Sequence, residues 1–241
     1  MKKAQVVAKV SDYKNLYQGE RCFILGNGPS LNKTNLQLLQ NEYTFGCNKI
    51  SLLYEKRNWH PSFYVMVSSK INESDWCDAV IKNLDIGIPC FLSDKNYLAK
   101  ANHSFFKTSQ KYENIYHLNC VGGRKGYPYP DEFWSDNIEK KCTKWGTILL
   151  SCIQIAVYMG FRKIYLLGCD LGFKNHTNGI PVNFDKDYNP NDIDLNGDNH
   201  STHAHILAKR MCDRIDVKIY NATVGGSLEV YPRVNFTEIW S

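Results

Sequence analysis

Short apolar runs alternate with longer amphipathic stretches, and this alternation constrains the fold more than any other feature of the sequence. The runs most typical of strands are residues 21–25, 43–45, 63–67, 89–92, 115–118, 163–167 and 217–220, with helical patterns at 31–39, 146–159 and 203–215. Because the runs lack polar–apolar alternation, they predict strands that helices cover on both faces. The sequence therefore predicts an α/β fold with a Rossmann-like, doubly wound, mostly parallel sheet.

Two polar segments interrupt this alternation. Residues 120–136 are rich in glycine and proline and predict a long loop, whereas residues 173–199 are rich in Asn and Asp and follow a predicted strand. Open α/β sheets bind ligands at the carboxyl ends of their strands, so we expect a lid-like insertion at 172–199. We expect one Rossmann-like domain over residues 1–241, with residues 1–20 as an N-terminal extension.

Composition and charge exclude several classes of protein. The 15 Tyr, 11 Phe and 5 Trp argue against disorder. No stretch approaches the roughly 20 apolar residues that span a bilayer. The formal net charge of +5 is spread along the chain, which favours an anionic small ligand over nucleic acid. We expect peripheral membrane association at most, and the aromatic content would allow a homo-oligomer.

The cysteines and the N-terminus bear on the compartment. Nine cysteines, an odd number without a CxxC pair, indicate buried free thiols rather than a disulfide framework or a zinc site. The first 20 residues lack the continuous apolar region of a signal peptide. We therefore expect a cytoplasmic protein.

The sequence GNGPSL at 26–31 follows the first predicted strand. Gly26 and Gly28 permit a tight turn, Pro29 suits the first turn of a helix, and Ser30 can support the helix N-terminus. The N–H groups there would form an anion site. A βα turn without a ligand is the alternative.

Two further strands end in polar residues. Asn48 offers a donor and an acceptor to a base edge or a ribose hydroxyl, and Lys49 could screen phosphate charge. A helix cap and a solvated surface lysine are the alternatives. Asp170, two residues after Gly168, could hold a ribose, a metal or an attacking hydroxyl, or could cap the following loop.

Three histidines, His200, His203 and His205, lie within six residues. On a helix start they would point in different directions, so we predict no metal site. A single general base is the better chemical use, because histidine titrates near neutral pH. Ser201 and Thr202 would cap the helix under either interpretation, and a polar helix start with exposed histidines is the alternative.

Four segments together resemble the MptE-like (DUF115) family over about residues 21–239: GNGPSL, CNK at 47–49, GFRKIYLLGCD at 160–170 and IYNATVGGSLEVYPRV at 219–234. The family takes its name from archaeal 6-hydroxymethylpterin diphosphokinases, and its bacterial members often look like parts of surface-glycan systems. The same skeleton is similar to the family 42 bacterial sialyltransferases, which use a CMP-activated sialic acid on a Rossmann-like domain with a lid.

This resemblance implies roles for particular residues. Nucleotide contacts would come from Gly26, Asn27, Gly28, Pro29, Ser30, Asn48, Gly168 and Asp170. His200, followed by Ser201, would deprotonate the acceptor hydroxyl in an inverting transfer that requires no metal or other cofactor. The implied donor is a nucleotide-activated sugar, most simply a CMP-linked, sialic-acid-like one, and the implied acceptor is a cell-surface glycan.

The chain departs from the sialyltransferase pattern at two places. Two tyrosines that stabilise the leaving phosphate there fall near Gly172 and Val182 here, so neither is present. Tyr188 or the loop at Arg124 could substitute, and Lys49 and Ser201 are further candidate phosphate or acceptor contacts. The Thr-Ser-Gly stretch before the long helix is replaced by residues 145–147, Trp-Gly-Thr.

Two other functions remain open. A pterin diphosphokinase would use ATP and Mg²⁺, with Asp170 and Asp185 or Asp187 as metal ligands. A non-catalytic nucleotide-binding protein of a glycan assembly system would bind a nucleotide without turnover.

Overall fold

The computed structural model describes residues 1–122, 128–172, 182–188 and 197–240. The strands in these ranges are β1 (Arg21–Leu25), β2 (Tyr43–Cys47), β3 (Phe63–Met66), β4 (Cys90–Ser93), β5 (Ile115–Leu118), β6 (Cys120–Val121), β7 (Cys142–Thr143), β8 (Lys163–Leu167) and β9 (Lys218–Asn221). Seven of them form a parallel sheet in the order β5-β4-β3-β2-β1-β8-β9, and β6 pairs with β7.

The strand order places a topological switch point between β1 and β8. The chain winds outwards from β1 to β5 and then returns to the other side of β1, where Arg21 to Leu25 pair with Lys163 to Leu167. Crevices at such a point, outside the carboxyl ends of the strands, are where open α/β sheets bind ligands. The predicted doubly wound, Rossmann-like fold is confirmed.

Helices cover both faces of the sheet. They are α1 (Tyr54–Arg57), α2 (Ser74–Asp85), α3 (Lys95–Ala101), α4 (His103–Ser109), α5 (Ile148–Tyr158) and α6 (Gly197–Asp213). Side chains of β1 alternate between two buried clusters: Cys22 and Ile24 pack with α5 and α6, whereas Phe23 and Leu25 pack with α2, α3 and α4. The apolar strand runs are therefore explained by burial on both faces.

Three sequence-based assignments were wrong in detail. The predicted helix at 31–39 is two short 3₁₀ helices, Pro29–Lys33 and Leu36–Leu39, because Thr34 adopts an extended conformation between them. Helix α6 begins at Gly197, six residues before the predicted start at 203. The predicted loop at 120–136 contains β6 and the 3₁₀ helix Asp131–Phe133. Long-range contacts account for two of these differences: Asp198 at the start of α6 accepts from the Gly172 amide, and β6 pairs with β7.

The first 20 residues pack against the sheet. Tyr13 and Tyr17 are buried in the same cluster as α5 and α6, and the Val7 amide donates to the Tyr116 hydroxyl on β5 at 2.9 Å. Within the described ranges, every helix is too short or too polar to cross a membrane.

Candidate functional site

The turns that follow β1 and β8 are in direct contact at the switch point. The Gly26 amide donates to the Leu167 carbonyl at 2.7 Å, and the Gly28 amide donates to the Gly168 carbonyl at 2.9 Å. A Cβ on Gly26 would lie 2.4 Å from the Gly168 oxygen, and one on Gly28 would lie 1.8 Å from Asp170 Oδ2. Both glycines are therefore required by backbone and side-chain packing within the protein.

Asp170 binds the N-terminus of the 3₁₀ helix Pro29–Lys33. Its Oδ1 accepts from the Ser30 amide at 3.2 Å, and its Oδ2 accepts from the Ser30 hydroxyl at 2.7 Å. Helix N-termini attract anions, and here the chain supplies its own carboxylate. The Ser30 amide, which the sequence analysis assigned to an anion site, is therefore already bound to Asp170.

Two asparagines at the same edge of the sheet have buried oxygens without partners. Asn27 follows β1, and its Nδ2 donates to Cys47 Sγ at 3.4 Å; Asn48 follows β2 in the left-handed conformation, with φ of 54°. Neither Asn27 Oδ1 nor Asn48 Oδ1 has a hydrogen-bond partner among the described residues. Buried polar atoms are nearly always hydrogen-bonded, so the two unpaired acceptors make Asn27 and Asn48 candidate ligand contacts.

Residues 182–188 of the predicted lid lie over the turn after β1. The Phe184 amide donates to the Asn27 carbonyl at 3.0 Å, and the Asn32 side chain donates to the Phe184 carbonyl at 2.8 Å. Phe184 and Tyr188 are buried. This part of the predicted lid therefore covers the strand ends beside Asn27, whereas 173–181 and 189–196 lie outside the described residues.

Lys49 and Tyr188 hold this segment in place. Lys49 Nζ donates to the Tyr188 carbonyl at 2.7 Å, pairs with Asp75 and lies 5.3 Å from the centre of the Trp76 ring. The Lys49 side chain is only 6% exposed, and burial raises the pKa of Tyr188. Two of the four candidate phosphate or acceptor contacts, Lys49 and Tyr188, are thus used in packing residues 182–188, and Arg124 lies outside the described residues.

His200 lies in the first turn of α6 among aromatic side chains. Its Nδ1 is 3.3 Å from the Tyr129 hydroxyl, and its ring centre is 5.9 Å from that of Trp145, nearly perpendicular to it. A Cβ on Gly146 would lie 2.4 Å from the His200 carbonyl oxygen, and the Ser201 hydroxyl donates to the Gly146 carbonyl at 3.1 Å. Ser201 therefore does not cap α6 but joins it to residue 146; the predicted cap was wrong.

Other contacts fix α6 and Tyr129 relative to the switch point. Asp198 Oδ1 accepts from the Gly172 amide at 2.7 Å, which ties the start of α6 to the turn after β8. Arg210, further along α6, donates to the Tyr129 carbonyl at 2.8 Å and pairs with Asp131 at 2.6 Å. Tyr129 could not be predicted as a site residue, because a tyrosine in a glycine- and proline-rich stretch carries no local signal for contact with a distant histidine.

The neighbouring histidines have different surroundings. His205 is buried, its Nδ1 lies 3.0 Å from the Tyr231 hydroxyl, and burial lowers its pKa to about 4. The ring centre of His203 lies 6.0 Å from that of Tyr129. In the described ranges, no three His, Cys, Asp or Glu side chains are arranged to hold a metal ion.

Comparisons with known proteins support the fold and the family. The sialyltransferase CstII from Campylobacter jejuni, solved in complex with the substrate analogue CMP-3FNeuAc, aligns with a TM-score of 0.55 and 20% identity over 89% of this chain and 86% of its own. This likeness shows the shared fold. No curated protein sequence matches the chain. A family model described as 6-hydroxymethylpterin diphosphokinase MptE-like matches residues 1–176, which is more than half of the chain, so the chain belongs to the MptE-like family.

Proposed function

We propose that the protein is a glycosyltransferase that moves a sugar from a nucleotide-activated donor, a CMP-linked and sialic-acid-like one, to a glycan acceptor. The observation that carries this proposal is the pair of buried, unpaired oxygens of Asn27 and Asn48 at the switch point. A buried acceptor that stays unpaired costs about 1–3 kcal/mol, a cost that a ligand can remove by donating a hydrogen bond. The structural relative CstII, which was solved with the substrate analogue CMP-3FNeuAc, is consistent with the same proposal.

A cytidine nucleotide has the donors that this pair requires. Cytosine has an exocyclic amino group, and ribose has hydroxyls that both donate and accept. The segment 182–188, held on Asn27 through Phe184, would cover such a ligand on the solvent side. Recognition would then depend on amide side chains and the lid, because the Ser30 amide is bound to Asp170.

His200 is the proposed general base. It would take the proton of the acceptor hydroxyl while the acceptor oxygen attacks the anomeric carbon of the donor sugar. The bond from that carbon to the phosphate oxygen breaks, and the nucleotide leaves with the electron pair, so the configuration inverts. Trp145 Nε1, buried beside His200 without a partner among the described residues, would donate to an oxygen of the phosphate or of the sugar carboxylate.

Tyr129 is the proposed positioning residue for His200. If the Tyr129 hydroxyl accepts from Nδ1–H, the neutral ring carries its lone pair on Nε2, the nitrogen that would take the proton. The contact of 3.3 Å is long for a hydrogen bond and would tighten when substrates bind. Arg210 holds Tyr129 from the same helix that carries His200, so base and positioning residue would move together.

The first experiment measures ligand binding. Thermal unfolding is followed with CMP, CDP, UDP, GDP, ADP and ATP, each with and without Mg²⁺. A ligand at about 100 times its dissociation constant stabilises the fold by about 2.7 kcal/mol, which gives a clear shift. A metal-independent shift with CMP is expected, and a shift with ATP and Mg²⁺ alone would contradict the proposal.

The second experiment separates chemistry from binding. In His200→Ala, sugar transfer from a CMP-linked donor should fall by about 10²–10⁴-fold, because the general base is lost. The thermal shift with CMP should persist. His103→Ala, an exposed histidine at the start of α4, serves as the control and should keep full transfer. Unchanged transfer in His200→Ala, or loss of the CMP shift, would exclude His200 as the base.

The family description favours a second candidate, an ATP- and Mg²⁺-dependent diphosphokinase acting on 6-hydroxymethylpterin. Magnesium would neutralise the triphosphate, and Asp170 and Asp185 are its candidate ligands. These carboxylates already bind Ser30 and Lys56, so they fit that role only if those contacts break. Magnesium-dependent AMP release with the pterin would establish this function. CMP binding without transfer would instead indicate a non-catalytic protein of a glycan assembly system.

The cellular setting is part of the same proposal. The protein would act in the cytoplasm, with membrane contact that is peripheral at most, and on acceptors destined for the cell surface. The free cysteines support a reducing compartment. Fractionation of cells that express the tagged full chain would test this location.

A further inference from the structure

Two cysteines lie directly opposite each other on the paired strands β6 and β7. Cys120 and Cys142 are register partners, and the Cys142 amide donates to the Asn119 carbonyl at 2.9 Å. Register partners point to the same face, and neighbouring strands lie about 4.8 Å apart. That spacing falls within the Cα separation of about 4.4–6.8 Å that a disulfide bridges. Both thiols are free, and the register pairing would let a bond form between them without separating β6 from β7.

The two thiols differ in exposure and in acidity. Cys142 is fully buried, whereas Cys120 is partly exposed. A hydrogen bond between their thiols lowers the pKa of Cys120 and raises that of Cys142, and the Lys144 ammonium also lowers the pKa of Cys120, while burial and Asp94 oppose this. The thiolate is the nucleophilic form, so Cys120 would react first and Cys142 would act as its resolving thiol.

None of the other seven cysteines combines these properties, and all nine lie in the described ranges. Cys77 is also partly exposed, but burial raises its pKa. Cys47 and Cys152 share a thiol–thiol hydrogen bond, but both are fully buried. Cys77 is therefore a control for a partly exposed thiol, and the pair Cys47 and Cys152 is a control for two thiols in contact.

We propose that Cys120 and Cys142 form a reversible disulfide when the protein meets a hydroperoxide. The Cys120 thiolate attacks a peroxide oxygen, the O–O bond breaks, and protonation of the leaving oxygen gives water and a sulfenic acid. Cys142 then attacks Cys120 Sγ, the S–S bond forms, and the sulfenic oxygen leaves as a second water. The two thiols lose two electrons and two protons, and one hydrogen peroxide becomes two waters.

The disulfide would join the two ends of the segment that carries Tyr129. Residues 121–141 would become a closed loop, in which Tyr129 contacts His200 at 3.3 Å. A cross-link reduces the conformational freedom of the unfolded chain, so the oxidised protein should unfold at a higher temperature. Formation of the bond does not depend on the function proposed above.

The test uses the full chain and graded hydrogen peroxide, followed by alkylation, proteolysis and mass spectrometry. The expected product is a peptide pair joined through Cys120 and Cys142, with a mass decrease of about 2 Da for the two hydrogens lost. Dithiothreitol should reverse it, and the unfolding midpoint should rise in the oxidised form only. Cys120→Ser should abolish both changes, and Cys77→Ser should leave both intact.

Two outcomes would overturn the proposal. One is oxidation of Cys77 at a peroxide concentration that leaves Cys120 and Cys142 fully alkylatable. The other is accumulation of Cys120 as a sulfinic acid while Cys142 stays reduced, which would show that the buried thiol cannot resolve the intermediate. Because Cys120 is only partly buried, Cys120→Ser should fold, and its circular dichroism spectrum checks this.

Discussion

Two polar pairs lie at the same edge of the sheet and differ in how far the protein satisfies them. Ser30 and Asp170 join the turns after β1 and β8 by two hydrogen bonds of 3.2 and 2.7 Å. Asn27 and Asn48 lie after β1 and β2, and each has a buried side-chain oxygen without a partner among the described residues. The first pair is satisfied within the described residues, whereas the oxygens of the second pair are not.

The difference separates residues whose polar groups the fold satisfies from residues that are proposed as ligand contacts. Satisfied buried groups stabilise the native state, and unsatisfied ones cost free energy unless a ligand is bound. Ser30 and Asp170 therefore join the turn after β1 to the turn after β8, although both residues follow strand ends where a ligand was expected. Asn27 and Asn48 remain the better candidates for nucleotide contacts. Of four predictions, ordered from the largest expected effect to the smallest, the first and third test this division, and the other two concern His205 and the contact between Tyr129 and His200.

A steric clash with Asp170, which binds Ser30, should have the largest effect on stability. In Gly28→Ala, the new methyl group would lie 1.8 Å from Asp170 Oδ2 and 2.8 Å from the Gly168 oxygen. Overpacking of this kind should lower the free energy of unfolding by about 3 kcal/mol. Urea denaturation measures this change in the free energy of unfolding. Gly122→Ala, where a Cβ would meet nothing within 4 Å, is the control. Equal stability of both variants would contradict the close contact.

His205 allows acid effects on the fold to be separated from acid effects on the chemistry proposed for His200. Burial lowers the pKa of His205 to about 4, whereas in the unfolded chain it is about 6.5. The unfolded state therefore takes up the proton first, and stability that is present above pH 6.5 is lost as the pH falls towards 4. Between pH 7 and pH 5 the loss should be about 2 kcal/mol.

The measurement is urea denaturation at pH 7 and pH 5 for the wild type and His205→Gln. The variant should lose about 2 kcal/mol less over this interval, because glutamine does not titrate. His117, whose pKa burial also lowers, is present in both proteins and cancels. Identical losses in both proteins would show that His205 does not titrate in this way.

Removing one member of each polar pair should affect different properties: stability for Ser30 and CMP binding for Asn27. Ser30→Ala removes a hydroxyl bond to Asp170 and should lower the free energy of unfolding by about 1–2 kcal/mol. Asn27→Ala removes an unpaired oxygen and should change stability less, but it should weaken CMP binding by about tenfold, the equivalent of 1.4 kcal/mol. Denaturation and calorimetric titration measure the two effects. Weakened CMP binding in Ser30→Ala alone would reverse the assignment of the pairs.

The smallest effect is expected at Tyr129. Tyr129→Phe removes the hydroxyl near His200 Nδ1, and sugar transfer should fall by about five- to tenfold, which corresponds to about 1 kcal/mol. The pH dependence of transfer should shift, while CMP binding stays unchanged. Tyr112→Phe, which removes a hydroxyl bonded to Asp85 at 2.5 Å, is the matched control. Equal pH profiles for both variants would leave Tyr129 with a structural role only.

The strands could be read from the sequence more accurately than the helices. Predicted runs such as 21–25 and 163–167 agree with β1 and β8, because burial on both faces imposes apolar residues at consecutive positions. The segment 31–39 has helical spacing of leucines but forms two 3₁₀ helices separated by an extended Thr34. The spacing of apolar residues indicates which face of a segment is buried, but it does not determine which backbone hydrogen bonds form there.

The sequence by itself determined the fold class, the family and the strand ends at which polar residues gather. These properties depend on local patterns, namely apolar runs, glycine-containing turns and a motif such as GNGPSL. Only the tertiary structure decided that Asp170 binds Ser30, that Lys49 holds residues 182–188 and that Tyr129 lies beside His200. Those contacts join residues 70 or more positions apart, and local propensity contains no information about which of many polar side chains will meet across a folded sheet.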